Sequence, residues 1–192
     1  MKQKQKAITS FILAAVLLPK TVYAEQRQVD GHVHGLASLN LVVEHNKVWA
    51  EFEAAGADIV GFEHAAETPE QMEQVRAALA LLKSSESVLA LAPSAKCILK
   101  TSNVELHGDD IDHDDHDHKV HSEIGEEGHT EFHVTYQWTC AKITHRTKIS
   151  FPYFENFKQS QQLRFNRAGD LGQASTLITK DVQYQELGDL PK

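Results

Sequence analysis

Three stretches of this chain place an apolar side chain at every second position, and that period constrains the fold more than any other feature. Ala37, Leu39, Leu41 and Val43 form the first, Val48, Ala50, Phe52 and Ala54 the second, and Phe132, Val134, Tyr136 and Trp138 the third. Alternate side chains of an extended strand point to opposite faces, so each stretch reads as a strand with one face buried and the other in water. The polar run Glu44-His45-Asn46-Lys47 between the first two suits a turn, which makes them a β-hairpin. The first strand's pattern is read from Gly31 to Val43. Further strands are expected over Ala95–Leu106, Glu131–Cys140, Lys148–Phe151, Gln161–Asn166, Ser175–Thr179 and Val182–Glu186, separated by Pro152, Gly169 and Gly172.

Helical signals are fewer. Thr68-Pro69-Glu70-Gln71 combines a Thr N-cap, a Pro in the first turn and a Gln at the capping-box position. Met72, Val75, Leu79 and Leu82 then recur at helical spacing and are expected to face the core. Gly56 to Ala66 reads as a loop, and Ser84 to Leu91 allows a short second helix before Pro93. The fold class this implies is α+β: an antiparallel β-sheet covered by one or two helices, with a disordered His/Asp-rich loop at about residues 107–128.

The first 24 residues differ in kind. They carry Lys2, Lys4, Lys6 and Lys20 and no acid, an apolar run from Ala7 to Leu18, and Val22-Tyr23-Ala24 as a cleavage site. That is the layout of a secretory signal peptide, expected to be removed after Ala24. The apolar run is shorter than the roughly 20 residues a membrane-spanning helix needs, so no stable membrane insertion is expected. Residues 25–192 then form a single domain holding 15 basic side chains against 27 acidic ones, a formal charge of −12. Such a body repels nucleic-acid phosphates and anionic lipid, and it favours cations as partners. Export also bears on the two cysteines. Cys97 and Cys140 have one possible pairing and an oxidising compartment to make it in, so a disulfide is expected.

The segment from His107 to His133 carries His107, His113, His116, His118, His121, His129 and His133, interleaved with six Asp between residues 109 and 117. Its centre, His113-Asp114-Asp115-His116-Asp117-His118, has no apolar side chain and cannot enter a core. Neutral imidazoles bind borderline divalent ions, and carboxylates add oxygen ligands or lower the local potential. A second set sits on ordered elements. His32 and His34 share a face if extended, as do His129, Glu131 and His133, and His64 follows the first hairpin. Two metal environments are therefore expected. The tighter would be built from His32, His34 and His64 with His129, Glu131 or His133, and the looser from His107, His113, His116, His118 and His121, whose chain must lose entropy on binding. Both should release metal as pH falls through roughly 6.5, because a protonated imidazole has no lone pair to offer. The donor set suits Zn²⁺, with Ni²⁺, Co²⁺ and Cu²⁺ able to use the same groups, while soft ligands for Cu(I) are scarce.

The ordered series His32-Val33-His34-Gly35, Gly61-Phe62-Glu63-His64, Cys97, a His/Asp-rich insert, His129-Thr130-Glu131-Phe132, Tyr136, Cys140 and Gly172-Gln173 resembles the ZrgA-like family of periplasmic zinc-uptake proteins of Gram-negative bacteria. The resemblance implies a zinc-binding accessory to a zinc importer, made when zinc is scarce. On this reading the protein is not an enzyme. It captures, buffers or delivers Zn²⁺ in the periplasm, to an importer or its solute-binding component. Two other readings stand beside it. One is a Zn²⁺-dependent hydrolase or lyase with an open coordination position, although His129-x-Glu131-x-His133 lacks the helical spacing of metalloproteases. The other is a metal-free envelope protein whose His loop senses acid.

Overall fold

A computed structural model describes residues 33–108, 129–182 and 184–188, all within a compact unit spanning Gly31–Lys192. The signal-peptide reading, His32, and the centre of the His/Asp insert lie outside the described residues.

The alternating stretches become strands at the expected places. β1 (Leu36–Glu44) and β2 (Lys47–Ala55) form the hairpin, and β4 (Cys97–His107) and β5 (Glu131–Cys140) form a second antiparallel pair that flanks the insert. Helix α1 (Gly56–Ile59) follows the hairpin, and α2 (Pro69–Leu82) opens with the full capping box, Thr68 and Gln71 each accepting from the other's backbone N–H. β3 (Ala90–Leu91), β6 (Lys148–Ser150), α3 (Tyr153–Asn156), β7 (Gln162–Gly169), β8 (Ala174–Thr179) and β9 (Gln185–Glu186) complete the described strands and α-helices. Where a second helix was expected over Ser84–Leu91, the chain makes one 3₁₀ turn and then β3.

The main sheet runs β4-β5-β2-β1-β7-β8. It is not wholly antiparallel: β1 and β7 pair in parallel, from Leu36 opposite Gln162 to Val43 opposite Gly169. A second small sheet, β3-β6-β9, lies apart from it in hydrogen bonding. The inner face of the main sheet carries Leu39, Leu41, Phe52, Phe132, Val134, Tyr136, Leu163 and Phe165, each at most 1% exposed. Tyr153, Phe154 and Phe157, on or just after α3, pack into the same core, and so does Leu82 at the end of α2. Only the C-terminal half of α2 is inward-facing. Met72, expected to face the core, is 49% exposed, because the helix approaches the core only near Ala78 and Leu82.

Cys97 and Cys140 are directly opposite on β4 and β5 and form the expected disulfide. It closes the sheet at the end opposite to the insert, since the same register places His107 opposite Glu131. No helix among the described residues is long and apolar enough to cross a membrane.

Candidate metal centre

Three segments distant in sequence meet at the start of β1, and backbone requirements fix each of them. The turn Val33–Leu36 is closed by Leu36 N–H donating to Val33 O at 3.0 Å, with Gly35 at φ +81°. That left-handed conformation favours glycine. Gly35 N–H donates to both oxygens of Asp58, at 2.8 and 3.1 Å, and Gly35 O accepts from Gln161 and Gln162 N–H at 3.0 and 2.7 Å. The residue before it, His34, is thereby held at a defined place.

The second segment is the α1 loop. Gly56 N–H donates to Thr130 O at 2.8 Å, and Thr130 N–H donates to Glu63 O at 2.7 Å. Thr130 is thus clamped between the two ends of residues 56–63. A Cβ on Gly56 would lie 2.2 Å from Thr130 Oγ1 and 2.6 Å from Phe62 O, so only glycine permits the approach. The clamp sets Glu63 beside His129, the third segment.

The outcome is a carboxylate bracketed by two imidazoles. His34 Nε2 donates to Glu63 Oε1 at 2.8 Å, and His129 Nδ1 donates to Glu63 Oε2 at 2.7 Å. The Glu63 side chain is 15% exposed, against 65% and 57% for the two histidines, so an anchored acid presents two rings to solvent. Asp58 lies just beneath, 3% exposed. Burial pushes its carboxyl above the ordinary range, while the Gly35 N–H and the neighbouring His34 pull the other way.

Other expected ligands go elsewhere. The His64 ring stacks on Phe62, with centroids 5.0 Å apart, and its Nδ1 donates to Ala65 O at 2.7 Å, which leaves Nε2 as its remaining ligand atom. Glu131 and His133 lie with His107 rather than with Glu63: His133 Nε2 donates to Glu131 Oε2 at 2.6 Å, and the His107 and His133 rings are 4.5 Å apart. His32, His113, His116, His118 and His121 lie outside the described residues. Among the described residues no three His, Cys, Asp or Glu converge on a ready-made cation cage. At Glu63 the three groups are joined in a line by hydrogen bonds through the atoms a metal would use.

Sequence reasoning assigned no ligand role to Glu63 and overlooked Asp58. Asp58 does carry a signal, as the sole acid within Ala54-Ala55-Gly56-Ala57-Asp58-Ile59-Val60. An acid in an apolar run needs a partner if it is buried.

The profile described as ZrgA family zinc uptake protein matches residues 31–187, a span that includes every segment of this cluster. No curated protein matches the chain. With most of its length covered by that profile, the chain belongs to the ZrgA family of zinc uptake proteins.

Proposed function

We propose that the protein captures Zn²⁺ in the periplasm, after removal of residues 1–24, and supplies it to a zinc importer or its solute-binding component. The observation that carries this reading is the Glu63 carboxylate held between His34 and His129. Two neutral imidazoles and one carboxylate are a common zinc donor set, and each ring would offer the nitrogen now facing Glu63 by taking its other tautomer, with its proton on the far ring nitrogen. His32 and His64, each next to or two residues from a member of the set, are the candidates for a fourth position. The His/Asp insert, with His113, His116, His118 and His121, adds weaker sites that raise local zinc near the ordered one.

Supply to an importer needs release, which suits a partly exposed site better than a sealed one. Both imidazoles are more than half exposed, so an acceptor protein can reach the ion without unfolding the sheet. The test is growth of a deletion strain under zinc chelation. The native chain should restore growth and cellular zinc, and a chain with His34→Ala and His129→Ala should not. Equal rescue by both would reject the reading.

A further inference from the structure

A second set of ligand-type side chains occupies the outer face of β4 and β5, where both strands border the insert. The register pairs His107 with Glu131 and Glu105 with His133. These four residues therefore form a two-by-two grid, in which each imidazole faces a carboxylate across the strands and another along its own strand. Their neighbours in sequence, Leu106, Phe132 and Val134, point to the core, which sends all four to the solvent face. The contacts follow the grid. His133 Nε2 meets Glu131 Oε2 at 2.6 Å, His107 Nε2 meets Glu105 Oε2 at 3.3 Å, and the two rings are 4.5 Å apart. Asn103 Nδ2 fixes the other oxygen of Glu105 at 2.6 Å, and Glu53 on β2 lies 3.9 Å from His133 Nδ1.

We propose that Glu105, His107, Glu131 and His133 form a second divalent-cation site, separate from the one at Glu63 and selective for a borderline ion of the Zn²⁺ class. The two imidazoles, diagonal on the grid with ring centroids 4.5 Å apart, can each turn one lone pair to a shared ion, and two carboxylates neutralise its charge. The all-oxygen preference of Ca²⁺ and Mg²⁺ is not met by this set. The side-chain contacts of the two clusters share no residue: Glu63 joins His34 to His129, whereas Glu131 meets His133 and Glu105 meets His107. Only the identity of the ion rests on the zinc-capture reading; the site itself stands on different atoms.

The test is a Zn²⁺ titration of the full mature chain, followed through the ring nitrogens of its histidines by NMR. The His107 and His133 rings should shift together, in a step distinct from that of His34 and His129. A chain with His107→Ala and His133→Ala should bind one ion fewer and keep the His34/His129 step within about twofold, as expected of well-separated sites. His133→Gln, which preserves a polar side chain on the strand, should lose the same step with the amide spectrum otherwise unchanged. The proposal is overturned if the His107 and His133 rings do not respond to Zn²⁺, or if all four rings shift in one step that either pair of substitutions abolishes. Should His34 and His129 stay still while His107 and His133 shift, the Glu63 assignment fails and the second site stands.

Discussion

Asp58 shows how one residue decides the placement of another. Its carboxylate takes the Gly35 N–H with both oxygens while only 3% exposed, and Gly35 is the neighbour of His34. Asp58→Ala would leave a buried N–H without its acceptor and should cost about 1–3 kcal/mol. Asp58→Asn keeps an acceptor of the same shape and should cost less. The pH dependence follows from burial, which raises the folded carboxyl above its reference value of 3.8. The folded state then holds the proton more firmly than the unfolded one, so the contribution of Asp58 is most favourable below 3.8 and declines as pH rises through the folded value. Urea unfolding at about pH 4 and pH 7 should accordingly show Asp58→Asn gaining on the native chain at the higher pH. An unchanged difference would contradict this account of the residue. The place of Glu63 was not legible in the sequence. Its partner His129 lies 66 residues away in sequence, so no local spacing could join them, and only the Thr130 clamp does so.

Among the elements, those with strong local signals were readable. β1, β2, β4, β5 and the capped start of α2 follow from alternation, a polar turn and a capping box. The parallel pairing of β1 with β7 was not readable, because a parallel partner is joined by no tight turn and leaves no mark in either strand's own pattern. The two-residue strands β3 and β9 are too short for any period to register. The β4–β5 pair carries a prediction of its own. Its disulfide spans a sequence separation of 43, so replacing both cysteines with Ser should lower stability by about 3–4 kcal/mol in the chain-entropy model. Denatured, unreduced native protein should show no free thiol, and a fall below about 1 kcal/mol for the variant would mean that the pair is held without the bond. Gly56→Ala should act more locally. Its Cβ would press on Thr130 and Phe62, opening the clamp that sets Glu63 beside His129 and weakening zinc binding more than it lowers the melting temperature.

At the scale of the molecule, the sheet separates two ends. The disulfide ties β4 to β5 at one, and at the other the same strands deliver His107, Glu131 and His133 to the edge of the insert, near the turn that carries His34. Because His107 and Glu131 are already paired across the strands, a short turn can replace residues 109–128 without disturbing the register. Removing those residues should reduce the zinc bound per chain, measured by elemental analysis, while thermal stability and the tight binding step stay as they were. Loss of the fold on this deletion would show that the insert is structural.

The claim on which the rest depends is that Glu63, between His34 and His129, is the anchor of the tight zinc site. The most direct measurement is the dissociation constant of the first Zn²⁺ step in the native chain and in Glu63→Gln, by competition with a chelator of known affinity. Gln keeps the shape and removes the charge and one ligand oxygen. The constant should rise more than about tenfold, at least what an outer partner of a ligand is worth, with the fold intact. A constant unchanged within about twofold, the range expected of a residue remote from the ion, would place the tight site elsewhere.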